Sequence, residues 1–133
     1  MPYLDIVKQY YAAFNQKDWT GMIALVDPEI RHEVNQGDVR IGQELYTQFL
    51  QQMDESYEET LHDLVFMSND TGERIAVEFV VHGIYKKGGE GMPLAHGQSY
   101  VLPAGAFLEV KNGKICRVTT YYNLPLWLKL VDG

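Results

Sequence analysis

The sequence predicts an α+β domain in which a strongly curved, mostly antiparallel sheet packs on three N-terminal helices. Three runs of helical apolar spacing precede Tyr57, and strand alternation dominates from there to Tyr122. A second observation is the segment Gly97–Tyr122, GQSYVLPAGAFLEVKNGKICRVTTYY. Its two apolar, β-branched and aromatic arms flank Lys111-Asn112-Gly113-Lys114, and Asn-Gly supplies the two positive-φ residues that a tight hairpin turn needs. The third is Pro103-Ala104-Gly105, which interrupts the first arm and predicts a bulge or bend, hence a curved sheet whose concave side the helices fill.

The helices come first. From Tyr3 to Gln16, Leu4, Val7, Tyr10, Tyr11 and Phe14 recur at three- and four-residue steps and define one wide buried face. Asp18 is suited to cap a second, short helix over Trp19–Val26, with Trp19, Met22, Ile23 and Val26 as its stripe and Asp27-Pro28 as its stop. Glu29–Asn35 alternates Ile30, His32 and Val34 against Arg31, Glu33 and Asn35, which predicts a first strand. Gly42 to Met53 reads as the third helix, its stripe running through Leu45, Phe49 and Met53 and widened by Tyr46 and Leu50.

Tyr57–Met67 is strand-like, and Asn69-Asp70-Thr71-Gly72 turns the chain. Arg74–Tyr85 then alternates Ile75, Val77, Phe79 and Val81 with Ala76, Glu78, Val80 and His82. Lys86–Pro93, with three glycines and a proline, is expected to be a mobile loop. After the hairpin, Leu124–Leu130 forms a short apolar tail in which Pro125 fits the first turn of a helix.

At 133 residues and 46% hydrophobic composition, the whole chain, residues 1–133, is expected to fold as one domain with no disulfide or metal staple. A net charge of −7, with its 11 basic residues scattered, argues against nucleic acid and anionic membrane as partners. No apolar run approaches the ~18 residues of a membrane span. The one cysteine, Cys116, reads as a small buried hydrophobe, and with no signal-like start it predicts a reducing, cytoplasmic setting. No HxH, HExxH or paired-cysteine pattern occurs, so neither a metal nor another cofactor is expected.

Several motifs carry a family resemblance. Tyr10-Tyr11-Ala12-Ala13-Phe14-Asn15, then Asp18-Trp19-Thr20-Gly21-Met22-Ile23-Ala24-Leu25, resembles the opening of ketosteroid isomerases. Arg40-Ile41-Gly42 and Asn112-Gly113-Lys114-Ile115 resemble the wider nuclear transport factor 2-like superfamily. The closest resemblance is to SnoaL-like, ketosteroid isomerase-related proteins. It is carried by Asn35-Gln36-Gly37, by Glu78-Phe79-x-Val81-His82-Gly83, by Gly97-Gln98-x-Tyr100-x-Leu102-Pro103-Ala104-Gly105-Ala106-Phe107 and by Arg117-Val118-Thr119-x-Tyr121-Tyr122-Asn123-Leu124. The resemblance implies a cone-shaped fold enclosing a small-molecule cavity, and a homodimer formed through the outer face of the sheet. Val80, Phe107 and Ile115 are the apolar residues expected on that face.

It also implies where catalytic groups would sit. Isomerases of this fold use a carboxylate base on the first strand, with a tyrosine and a protonated aspartate as oxyanion hole. The tyrosine falls on Tyr10, the base on Val34 or Asn35, and the aspartate on Gly105 or Ala106, so two of the three groups are missing. The charged triad of limonene epoxide hydrolase falls on Phe79, Val81 and Thr120 and is missing too. His32 is the one titratable group on the predicted inner face of the first strand, where an imidazole serves either as general base or as a satisfied structural residue. Tyr10 is correspondingly a hydrogen-bond donor or a core aromatic.

The cavity wall is expected to comprise Phe14, Trp19, Val34, Phe79, Val81, Leu108, Val118, Thr120 and Tyr122. Glu78 and His82, four apart on one strand face, form an alternative polar pair if that face lines the cavity; on the other face they meet a subunit or solvent. Asp5, Glu44, Asp54-Glu55 and Glu58-Glu59 read as solvated faces. Two functions fit: an isomerase-, cyclase- or hydrolase-type enzyme moving protons on a small, largely apolar ligand, or a binding module of the same shape without turnover.

Overall fold

The computed structural model describes residues 2–34 and 36–132, so Asn35, one candidate for the base position, lies outside the described residues. In chain order the elements are α1 (Pro2–Asn15), α2 (Trp19–Ala24), β1 (Val26–Val34), β2 (Arg40–Ile41), α3 (Gln43–Ser56), β3 (Tyr57–Ser68), β4 (Arg74–Tyr85), β5 (Gln98–Lys111), β6 (Lys114–Tyr122) and α4 (Leu124–Val131). The strands form one curved, unclosed sheet ordered β2-β1-β6-β5-β4-β3. All neighbours are antiparallel except β1 and β6. To the three expected N-terminal helices the structure adds α4, which begins at the asparagine cap of Asn123 with proline in its first turn.

Asp18 caps α2 as expected, accepting from the Gly21 amide at 2.9 Å. The helix nevertheless ends at Ala24, and Val26 is already strand. The cause is tertiary: the Ile115 amide donates to the Leu25 carbonyl at 2.9 Å, and Val26 pairs with Ile115, so β6 captures the chain before a further helical turn forms. Asp27-Pro28 therefore lies inside β1 rather than stopping a helix. It falls in the irregular stretch between Val26 and Arg31, where no ladder bond needs the amide that proline lacks. In α3 the buried residues are Tyr46 and Leu50, while Leu45 is exposed, so the stripe is turned by one position from the spacing drawn through Leu45.

In the hairpin, Asn112 and Gly113 adopt φ of 54° and 78°, the left-handed pair that the turn requires. The expected bulge is elsewhere, because Pro103, Ala104 and Gly105 pair in unbroken register with Val80, Phe79 and Glu78. Proline is tolerated because β6 ends opposite Ala104, leaving no strand beyond to accept a Pro103 amide. The irregularity lies at the other end of the hairpin: Glu109 faces Arg117 and Val110 faces Ile115, which makes Cys116 the extra residue. Its insertion reverses the alternation, so Ile115, expected on the outer face, is fully buried inward. Cys116 itself is half-buried rather than core, its thiol donating to the Glu109 carbonyl at 3.5 Å. A second bulge in β3, between His62 and Val65, places Asp63 at φ 55° and turns Phe66 to the side of its partner Val77.

The core lies between the helices and the concave face, where Ile75, Val77, Phe79 and Val81 of β4 are buried with Leu102, Ala106 and Leu108 of β5 and Val7, Tyr10 and Tyr11 of α1. Gly105 has no left-handed φ, and its constraint is steric: an added Cβ would lie 3.2 Å from the Val77 carbonyl oxygen. We expect Gly105→Val to lower stability by about 1–3 kcal/mol through this crowding, and Cys116→Ala to lower it less. Equal midpoint shifts in chemical denaturation would contradict this.

Candidate functional site

Strand alternation and the helix faces converge on a cavity of about 770 Å³ between the helices and the concave sheet. Tyr10 and Phe14 of α1, His32 and Val34 of β1, Phe79 and Val81 of β4, and Val118, Thr120 and Tyr122 of β6 all line it. Two residues expected there do not. Leu108 is fully buried in the core, and Trp19 packs edge-on against Phe14, its ring centroid 5.9 Å away, outside the wall. Glu78 and His82 are exposed on the opposite face of β4, whose other residues, Phe79 and Val81, point inward. They do not pair, since the neighbour of the His82 ring is His62, at 4.0 Å.

His32 reaches the cavity because β1 pairs in parallel with β6, which sets it beside Val118. Only 4% of its surface is exposed, and its ring packs against Tyr46 and Phe49 at 5.2 and 4.5 Å. Arg40, brought alongside by the β1–β2 pairing, stacks over Phe49 at 4.5 Å. Burial first, and the nearby Arg40 charge second, lower the His32 pKa to about 4, so the imidazole is neutral at neutral pH. Its Nδ1 is buried and has no hydrogen-bond partner among the described residues. Buried polar atoms are normally satisfied, so this orphan on a residue that lines the cavity sets His32 apart from a satisfied structural histidine.

Tyr10 shares a 2.7 Å hydrogen bond with the hydroxyl of Tyr46. Burial is the main reason that both phenols hold their protons well above the usual range. Tyr46, which links Tyr10 to the His32 ring, was visible in the sequence only as a residue widening the third helix's stripe.

The cavity holds a carboxyl group that the acidic run Glu58-Glu59 concealed. Alternation separates the pair: Glu58 faces solvent, while Glu59 faces inward between Tyr57 and Leu61 and lines the cavity. Glu59 pairs across the sheet with Gly83, and Gly83 with Tyr100. Because Gly83 has no side chain, the Tyr100 ring lies over it, and the Tyr100 hydroxyl donates to Glu59 Oε2 at 2.5 Å. Burial raises the Glu59 pKa, against the opposing effects of the Tyr100 hydrogen bond and of Lys17. Burial likewise lifts Tyr122, helped by the Glu59 charge, and lifts Tyr57 to about 12. Among the described residues, no group of three or more His, Cys, Asp or Glu could hold a metal ion, and no helix is long and apolar enough to cross a membrane.

Comparison with known proteins fits this geometry. Residues 7–118 match the SnoaL-like domain, and the chain belongs to that family, within the nuclear transport factor 2-like fold. It is 46% identical to a proposed polyketide cyclase from Xanthomonas campestris pv. campestris, with 98% of this chain and 97% of that one covered and a TM-score of 0.95. A proposed polyketide cyclase from Pseudomonas putida KT2440 is 45% identical over 99% of each chain, with a TM-score of 0.96. An NTF2-like protein of unknown function from Burkholderia pseudomallei K96243 shares the fold at 18% identity and a TM-score of 0.83, over 100% of this chain and 99% of that one. No curated protein matches the chain.

Two outcomes follow from the site's packing. An added Cβ at Gly83 would lie 2.3 Å from the Tyr100 ring, so Gly83→Ala should destabilise the fold by about 1–3 kcal/mol, as measured in urea. His32 has a folded pKa of about 4, against an unfolded value of about 6.5. The unfolded chain therefore binds the extra proton first, and His32's contribution is whole above about pH 6.5 and lost as pH falls toward 4. Over that window wild-type stability should fall by about 3 kcal/mol more than that of His32→Gln; parallel curves would show that the ring is not buried in neutral form.

Proposed function

We propose that the chain binds a small, largely apolar carbonyl compound in its cavity and moves protons on it, in isomerase-, cyclase- or hydrolase-type chemistry. His32 is the base and Tyr10 a hydrogen-bond donor to ligand oxygen. The observation that carries this reading is His32 itself, a neutral imidazole that lines a mainly apolar cavity and whose buried Nδ1 has no partner among the described residues. The low pKa of His32 keeps the imidazole in its basic form throughout the neutral range. Likeness to the two proposed polyketide cyclases supports the same reaction class, since ring closure of such compounds starts by removing a proton next to a carbonyl.

A second reading, binding without turnover, is favoured by the Tyr10 hydroxyl being already engaged with Tyr46. A thermal-shift screen of tricyclic aromatic ketones, run beside deuterium exchange of their acidic C–H groups, separates the two. Melting shifts with exchange, and exchange falling about 100-fold or more in His32→Gln while the shifts persist, are expected. Shifts without exchange would favour the binding module, and undiminished exchange in His32→Gln would remove His32 as base.

The subunit arrangement we infer is a homodimer through the outer sheet face. Val65, Met67, Val101, Phe107 and Tyr121 are exposed there, an apolar surface of the kind that monomers seldom leave open. Cytoplasmic placement fits the one thiol, Cys116, which is unpaired. Light scattering at micromolar concentration should give twice the chain mass of 15.2 kDa; the mass of one chain would rule the dimer out.

A further inference from the structure

We propose that Glu59 is the proton donor that complements His32, and that the ligand is an extended conjugated carbonyl compound whose acidic C–H and carbonyl oxygen lie at separate ends. This deepens the proton-transfer reading above and rests on it. The geometry is specific. Tyr100, reaching across Gly83, occupies Oε2 of Glu59 and leaves Oε1 for a ligand, and an oriented carboxyl on a cavity wall is the usual arrangement of a general acid or base. His32 and Glu59 project into the same cavity from strands that have β6, β5 and β4 between them. A ligand that contacts both groups therefore presents its acidic C–H to one strand and its carbonyl oxygen to another.

The surroundings push the two groups in opposite directions, which separates base from acid. Burial lowers the imidazole to about 4 and raises the carboxyl. The groups coupled electrostatically to Glu59 are Tyr57 on its own strand, Tyr122 on β6 and Lys17 from the turn after α1, and Tyr100 on β5 is bonded to it; Glu55 and Lys87 line the same cavity. In the step itself, His32 takes the proton of the acidic C–H, and that bonding pair becomes a new carbon–carbon π bond. The carbonyl π pair forms an O–H bond with the proton from Glu59. The ligand leaves this step as its enol, and proton exchange with solvent restores neutral imidazole and protonated carboxyl.

Anthrone is the probe, since its C10–H and C9 carbonyl face each other across the central ring. Deuterium incorporation at C10, followed anaerobically by NMR across pH, is expected to give a bell whose acid limb belongs to His32 and whose alkaline limb belongs to Glu59. Glu59→Gln, which keeps an acceptor for Tyr100, should slow exchange about 100-fold or more while anthrone still raises the melting temperature. Tyr100→Phe removes a bond that favours the carboxylate, so the alkaline limb should move to higher pH. Exchange in Glu59→Gln within twofold of wild type, or an unmoved limb in Tyr100→Phe, overturns the assignment of Glu59 alone if His32→Gln is still inactive. Wild-type chain that binds anthrone without exchanging it overturns the proton-transfer reading and this inference together.

Discussion

Parallel pairing of β1 with β6 is the constraint on which the rest of the architecture depends. It joins the strand that leaves the N-terminal helices to the last strand of the hairpin, and so brings the two ends of the chain to one wall. Without the bond from the Ile115 amide to the Leu25 carbonyl, α2 has no reason to stop at Ala24, and β1 would start later. Past the irregular stretch that follows Val26, pairing resumes with His32 opposite Val118 and Val34 opposite Thr120, and that register turns the imidazole toward the helices. The short β2 then binds the far edge of β1 and holds Arg40 beside it.

Much of this was legible from local pattern. The spacing of Val7, Tyr10, Tyr11 and Phe14 and the alternation of Ile75, Val77, Phe79 and Val81 each reflect one partner surface, so period alone reveals the buried face. The Asn-Gly turn was equally plain, because its chemistry is local. What escaped was set by tertiary pairing. Val26 has helical spacing with Met22 and Ile23 but is claimed by β6, and Leu45 has the right period on the wrong side of α3. The bulge at Cys116 has no proline or glycine to announce it, whereas Pro103-Ala104-Gly105 has both and pairs regularly.

The site was half legible for the same reason. Residues one step apart on well-patterned strands, such as Val118, Thr120 and Tyr122, could be assigned to the wall by parity. Glu59 could not be separated from Glu58 by composition, although counting from Leu61 back through Glu59 to Tyr57 puts the three on one face. The Tyr100 contact needs three strands in register and the absence of a side chain at Gly83, which no single segment of sequence contains. A glycine in a strand is easily read as a bend, yet here it provides room for a side chain to cross.

Tyr85 has a further consequence for how the cavity communicates with its surroundings. Its ring is fully buried, stacked at 5.7 Å on Tyr57 and edge-on to Trp127, while its hydroxyl donates to the Pro93 carbonyl at 2.7 Å. The segment after it, expected to be a mobile loop, is also tied at its base by the bond from the Lys86 amide to the Ser56 carbonyl, and its residues Lys87 to Glu90 line the cavity. One side chain thus belongs to the cavity wall and also fastens the segment beside it. The packing of this wall and the placement of the segment that follows it therefore share one side chain, and a substitution at Tyr85 would disturb both at once.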